Sequence, residues 1–349
     1  MKNGPTEGEK GIPRVSDERF AKEFGEVASL VEKHECMLIL GHVDPDGDCI
    51  GSMLALAAYL MRCGKKVVCF TPGDMAEIYA ELPLANLFVR EAALAALAPD
   101  MVFALDAPTS ARTADLVKRT DGKPVVNIDH HPTNERYGDI NIIDEKASAT
   151  SILVYRFLSS VAPESITPEM ADYLYLGVLM DTGGFRFQNT NAEALAMAAR
   201  FVELGARAHE LAHEFIYVKK FSTLKLLSRA LDSLEVHGGG RIAVMHISEE
   251  MITSAGGSMS DTEGFVDYAA SIDDVELSAL FRELASDEIR VSLRSRNDYN
   301  VAELAERYGG GGHRNAAGLT IHGDLATAKS QIVRSLEEML ALKVRPRQS

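Results

Sequence analysis

One histidine and three aspartates crowd a short stretch, Leu40-Gly41-His42-Val43-Asp44-Pro45-Asp46-Gly47-Asp48. Carboxylates held that close repel one another, and a divalent cation would relieve the repulsion. Imidazole with carboxylates, and no thiolate set, suits manganese better than calcium or structural zinc. The competing account is a polar turn whose aspartate caps the next helix. The apolar run at 36–40 reads as a buried strand, and 53–60 reads as a helix of strong helix formers. The polar stretch then falls at the carboxyl end of a strand, where open α/β sheets bind ligands. Gly47 and Gly51 are expected to let the loop turn and approach an ion closely.

Three further segments repeat the theme. Asp106 follows the apolar run 101–105, Asp129-His130-His131 follows 124–128, and Asp181 follows the apolar segment ending at Met180. An aspartate after a strand is commonly only a turn or cap residue. Strand ends on one side of a parallel sheet converge, however. The four segments together could offer two histidines and four aspartates to two metals. Two divalent ions about 3.5–4 Å apart suit in-line displacement at phosphorus, with one carboxylate bridging them.

The elements that must position these groups follow from periodicity. Residues 17–35 form an amphipathic helix with Ser16 as its cap, and 66–70 is a second strand. Helices are expected at 147–161, 168–180 and 191–204. Strands alternating with helices predict an α/β domain built on a mainly parallel sheet covered on both faces. From 206 to 233 the chain reads as helical, and Lys219, Lys220, Lys225 and Arg229 suggest a solvated connector. Beyond it the pattern changes. A hairpin around Gly238-Gly239-Gly240 is followed by strands at 275–281 and 289–296 and a helix near 301–308. A glycine run at 309–312, a strand at 319–322 and a final helix at 325–342 complete a smaller α+β domain.

A chain of 349 residues suits two domains, and 46% hydrophobic residues suffice for two cores. The formal net charge of −15 argues against coating long nucleic acid, while a small phosphorylated substrate held by metal ions remains compatible. Cys36, Cys49, Cys63 and Cys69 lack paired zinc spacing and read as reduced thiols of a cytoplasmic protein. Cys49 beside Asp48 is a packing residue on this reading. No stretch reaches membrane-spanning length, no signal-peptide core opens the chain, and residues 1–13 are expected to be a disordered tail.

These motifs, in this order, resemble the DHH phosphoesterase superfamily, named for the triplet present here as Asp129-His130-His131. Gly309-Gly310-Gly311-Gly312-His313-Arg314-Asn315-Ala316-Ala317-Gly318 resembles the hallmark of its DHH-associated C-terminal domain. Length and architecture are similar to the NrnA-type oligoribonuclease/pAp phosphatase branch. The related RecJ exonucleases are usually larger. The resemblance implies a sheet of the five-stranded type flanked by helices at 14–205, a helical linker at 206–232, and a substrate-binding domain at 233–345. It also implies an active site in the cleft between the two domains. It implies two divalent ions, manganese preferred: His42 and Asp46 on the first, Asp48, His130 and Asp181 on the second, Asp106 bridging. A hydroxide between the ions would be the nucleophile, His131 would protonate the leaving oxygen, and Asp129 would orient the histidines. Asp44 falls between ligand positions and has a loop hydrogen bond as its expected role.

The second domain would grip the substrate. Arg290, Ser292, Arg294 and Arg296 alternate, so period two puts them on one strand face. From 282 to 314 there are six basic and six acidic residues, so this region is neutral within an acidic chain. Aligned arginines are a credible phosphate grip, with a merely solvated face as the competing account. The loop at 309–312, Gly311 and Gly312 within it, would offer backbone N–H groups to an anion, and His313 and Arg314 further donors. The expected activity is hydrolysis of short oligoribonucleotides to monophosphates, and of pAp to AMP. Alternatives are a linear- or cyclic-dinucleotide phosphodiesterase, an inorganic pyrophosphatase, and a nucleotide sensor without catalysis. The expected partner is short RNA or a nucleotide, without long duplexes or membranes, and a homodimer stays open.

Overall fold

The computed structural model describes residues 18–73, 75–119, 122–285 and 287–343. The expected tail, the Ser16 cap and residues 344–345 lie outside the described residues. The chain divides after Val218 into two compact units.

The first unit is built on five parallel strands: β1 (Cys36–Leu40), β2 (Lys66–Phe70), β3 (Met101–Leu105), β4 (Val125–Asp129) and β5 (Ile140–Ile143). Their order is β2-β1-β3-β4-β5. The chain leaves β1 toward one edge and returns to β3 on its other side. The loops after β1 and β3 therefore part at a topological switch point, the usual ligand crevice of such sheets. Both faces are covered, as a parallel sheet requires. Met37 and Ile39 enter one apolar core, while Leu38 and Leu40 enter another on the opposite face. The short β5 has no counterpart among the strands that periodicity picks out, because four residues are too few to show alternation.

The helix Gly47–Arg62 is buried along residues 47–60. It lies against the helix Pro168–Asp181, and glycine makes that approach feasible. A Cβ on Gly51 would stand 2.4 Å from the Tyr173 carbonyl oxygen, and one on Gly177 would stand 2.5 Å from Asp48 Oδ1. Gly47 and Gly51 thus lie in a helix and serve helix packing, which replaces their expected role as loop residues.

The second unit holds a mixed sheet in the order β10-β11-β9-β8-β7-β6. Its strands are β6 (Glu235–His237), β7 (Ile242–Ile247), β8 (Leu277–Ala285), β9 (Glu288–Ser295), β10 (Gly311–His313) and β11 (Ala316–His322). Only β7 and β8 run parallel. Ile289, Val291 and Leu293 pack with the helices Val301–Glu306 and Leu325–Lys343. Leu280 on the other face packs with the helices Phe221–Asp232 and Val266–Ala270. The segment 206–232 is divided between the units. Leu211 and Phe215 belong to the first core, and Leu226, Leu227 and Ala230 to the second unit's core.

Two glycines give opposite expectations. Gly51→Ala should cost about 1–3 kcal/mol through overpacking, because the Tyr173 carbonyl is backbone and cannot swing away. Gly25→Ala, in the helix Ala21–Lys33 with nothing within 4 Å of the new Cβ, should gain up to about 1 kcal/mol. Thermal unfolding of both variants against the wild type checks the signs.

Candidate metal centre

Three loops and one helix end meet at the switch point. Asp106 follows β3 in a left-handed conformation, φ +55°, that non-glycine residues rarely adopt. Its amide donates to the Ile128 carbonyl at 3.0 Å, which ties the turn to β4. Its side chain is 2% exposed. Asp106 Oδ2 lies 3.4 Å from His42 Nε2, and Oδ1 lies 3.7 Å from His130 Nε2 and 3.5 Å from His131 Nδ1. The Thr150 hydroxyl donates to Oδ1 at 3.0 Å.

His42 hangs from the loop after β1. Its Nδ1 lies 2.7 Å from the Val43 carbonyl, so a proton there faces that oxygen while Nε2 faces Asp106. The Arg112 guanidinium stands 2.9 Å from the same Nδ1, a second cation beside the ring. Asp46 caps the helix Gly47–Arg62, its Oδ1 accepting from the amides of Asp48 and Cys49 at 3.0 Å each. Capping and proximity to His42 coexist, for that oxygen is 3.9 Å from His42 Nε2. Asp44 is exposed at φ +54° and stands outside these groups.

Asp48, His130 and Asp181 bring ligand atoms within 4.8 Å of one another, as do His42, Cys49 and Asp106, and Asp106, Asp129 and His131. Asp48 is buried and accepts from the amides of Thr150, at 2.5 Å, and Ser151, at 3.0 Å. These amides open the helix Thr150–Val161, whose N-terminus favours an anion. His130 Nδ1 lies 3.1 Å from the Ala147 carbonyl, so Nε2 faces Asp181 Oδ2 at 3.6 Å. The Asn189 amide NH₂ donates to the Asp181 carbonyl at 3.0 Å and to its carboxylate at 3.3 Å. Asp129 accepts from the backbone amides of His130 and His131 and from His131 Nδ1, the last at 2.7 Å, while Asn134 donates to its other oxygen at 2.6 Å.

Thr150, Ser151, Ala147 and Asn189 escaped sequence reasoning, because polar groups at a helix start or in a loop carry no mark of their distant partner. Asn134, five residues after Asp129, was within reach of a local reading. Cys49 packs its Sγ 3.8 Å from Met53 Sδ, and burial followed by Asp106 and Asp46 pushes the thiol well up.

The charges frustrate one another. Burial, then Asp106, pushes Asp48 up to about 7 against the opposing His130. Burial, then Asp48, Asp46 and Asp106, pushes Asp181 well above the carboxylate range. Burial would depress His42, yet Asp106 and Asp46 hold it up at about 10. Burial opposes the charge on Asp106 too, but His42, His131 and His130 hold its carboxyl below the usual range. Protons thus hold together a set of acids that divalent cations would hold better. Imidazole nitrogens and carboxylate oxygens fit such ions, which would be borne by His42, Asp46, Asp48, Asp106, His130 and Asp181.

In the second unit Arg290, Ser292 and Arg294 share one face of β9, and Arg296 lies just past its end and is exposed. Arg282 stands opposite Arg290 across the β8–β9 pair and donates to Ser292 at 2.6 Å, a neighbour the sequence did not suggest. Arg294 Nε donates to Asp267 Oδ1 at 2.9 Å. The glycine run is partly strand. Gly309 and Gly310 donate to the carbonyls of Glu306 and Ala305, closing the helix Val301–Glu306, and Gly311–His313 form β10. Gly310 has a packing reason besides, since a Cβ there would meet the Gly318 carbonyl oxygen at 2.2 Å. Arg314 donates to the Asp298 carbonyl at 2.9 Å.

A parallel sheet with acids and imidazoles gathered at its switch point, in a chain that also carries a mixed-sheet unit, is an arrangement suited to hydrolases that use divalent ions. Residues 36–178 match the DHH family, N-terminal domain, and residues 239–342 match the DHHA1 domain. The chain belongs to the DHH family of phosphoesterases. It is 30% identical over 328 residues to the bifunctional oligoribonuclease and PAP phosphatase NrnA of Thermus thermophilus, covering 92% of this chain and 96% of that one. The crystal structure of an exopolyphosphatase-related protein from Bacteroides fragilis superposes with a TM-score of 0.84 at 26% identity, covering 92% and 98%. RecJ of Thermus thermophilus, in complex with Mn²⁺, shares the fold at a TM-score of 0.56 and 14% identity, covering 94% of this chain and 56% of that one.

Stability should report the frustrated charges. A group whose folded pKa is raised loses its stabilising effect as pH climbs through that pKa. Asp48, Asp181, His42, His130 and His131 are all raised, so metal-free protein should melt at falling temperature as pH rises from about 4, where unfolded carboxyls ionise, through 7 and beyond. Asp46 and Asp106 are lowered, and their effect is lost only in acid. Saturating Mn²⁺ should therefore raise Tm more at pH 8 than at pH 6, and binding at pH 7 should release protons. Calorimetry in buffers of differing ionisation enthalpy checks the release.

Proposed function

We propose that this chain is a manganese-dependent phosphoesterase that hydrolyses short oligoribonucleotides to nucleoside monophosphates and converts pAp to AMP. The observation that carries the reading is the buried Asp106 carboxylate, flanked by His42 at 3.4 Å and His130 at 3.7 Å. The Thermus thermophilus relative, named for both activities, supports the substrate class. In this reading His42 and Asp46 would hold one ion, Asp48, His130 and Asp181 would hold a second, and Asp106 would serve both. Such a pair neutralises phosphate charge and lowers the pKa of water. The chain's own groups do the rest. Asp129 fixes His131 through Nδ1, which aims Nε2 at the leaving oxygen as a proton donor. Asn134 holds Asp129 in turn.

Substrate grip falls to Arg290, Arg294, Arg296, Gly311, Gly312, His313 and Arg314. For Arg294 a substrate anion must take the place of Asp267. The cysteines Cys36, Cys49, Cys63 and Cys69 are free thiols, which suits a cytoplasmic setting. Among the described residues no helix is long and apolar enough to cross a membrane.

A substrate panel tests the reading: pAp, pApA, five-residue RNA, single-stranded DNA, pyrophosphate and polyphosphate, each with manganese and then magnesium. Turnover of pApA, RNA and pAp with manganese is expected; turnover of pyrophosphate or polyphosphate alone would replace the substrate class. Asp106→Ala should abolish turnover and weaken both ions, whereas two ions retained at a normal rate would remove Asp106 from the bridge. His131→Ala should keep its metals and slow the reaction by about 10²–10⁴-fold. That loss should shrink for a nitrophenyl ester, whose leaving group needs less protonation.

A further inference from the structure

The segment His209-Glu210-Leu211-Ala212-His213-Glu214 lies apart from the Asp106 centre in sequence and has no role in the chemistry above. It spells H-E-x-x-H, a spacing that puts two imidazoles on one helical face. The structure bears out the spacing. The helix Ala208–Ala212 runs into a π turn, His213–Tyr217, and His213 keeps helical angles at φ −63°, ψ −48°. Val218 N donates to the His213 carbonyl at 2.8 Å, five residues back. Single π turns of this kind are rare and frequent at functional sites.

The inner face is anchored. Leu211 and Phe215 are buried, and Phe215 stacks on Tyr79 at 5.7 Å. That anchoring turns His209, Glu210, His213, Glu214 and Tyr217 outward, and all five are exposed. The two imidazole centroids are 6.0 Å apart, tilted by 40°. Two imidazoles on one ion, with metal–nitrogen bonds of about 2.0–2.1 Å, bring the centroids to about 5 Å, a small side-chain rotation away. Neither ring has a hydrogen bond or ion pair among the described residues, so no partner must be displaced. Tyr217 stacks beside His213 at 6.4 Å and limits its swing.

We propose that His209 and His213 form a surface site for a borderline divalent transition ion, of the zinc, nickel or copper class, separate from the Asp106 centre. The donor chemistry selects the ion. An imidazole pair favours these metals over manganese, while the oxygen-rich Asp106 centre suits manganese. Glu210 and Glu214 make the face acidic, which attracts a cation and repels phosphate. In zinc peptidases the same string places its glutamate as a general base. Here Glu210 lies on an exposed helix face, and the proposal is for binding without hydrolysis. An ion there would link the α turn to the π turn that closes the first unit.

The test uses full-length, untagged protein preloaded with Mn²⁺ and compares wild type with His209→Ala and His213→Ala. Equilibrium dialysis against Ni²⁺ should find one more ion per chain in wild type than in either variant. Any nickel exchanging into the Asp106 centre is common to all three proteins and cancels. Wild type should be retained on immobilised nickel and both variants should not. On adding Zn²⁺, amide exchange across 209–217 should slow in wild type alone, and manganese-dependent turnover should be the same in all three. Equal nickel stoichiometry, or retention that survives in both variants, would overturn the site.

Discussion

A carboxylate buried in the company of three imidazoles governs the first unit. Asp106 is nearly inaccessible to water, and an isolated charge there would cost several kcal/mol. His42, His130 and His131 stabilise it, and each comes from a different turn of chain than Asp106. The surrounding acids overshoot that balance, which is why Asp48 and Asp181 are pushed toward the neutral form. A site with more acid than its own cations can balance is built for added positive charge. The left-handed backbone at Asp106 is the local strain that accompanies this placement.

Sheet order and helix packing make the arrangement achievable. The switch between β1 and β3 separates two loops that would otherwise close against each other. Gly51 and Gly177 let two helices approach until Asp48 lies beneath the first turn of a third. Amides of that turn, at Thr150 and Ser151, then orient the Asp48 carboxylate, while the Thr150 hydroxyl reaches Asp106. One helix N-terminus therefore steadies two acids at once.

The second unit solves a different problem. Its sheet is covered on both faces, so the arginines of β9 lie beside helices rather than on an open surface. Arg294 is already paired with Asp267, and the glycines at 309 and 310 spend their amides on closing a helix. The glycine run owes much of its composition to close strand contact, as Gly310 against the Gly318 carbonyl shows.

By itself the sequence determined where the strands β1 to β4 run, that their sheet is mainly parallel, and that the carboxyl ends of β1, β3 and β4 lead into histidine and aspartate. Each of these depends on local periodicity and on the side chain's own chemistry. The family followed from motifs of the same local kind. Tertiary structure alone decided the partners: Thr150 and Ser151 on Asp48, Asn189 on Asp181, Asp267 on Arg294, and Arg112 beside His42. It also moved Gly47 and Gly51 from loop to helix and turned part of the glycine run into β10. A residue's type limits what it can bind, but whether its partner is present depends on contacts between segments tens of residues apart, and only packing brings those together.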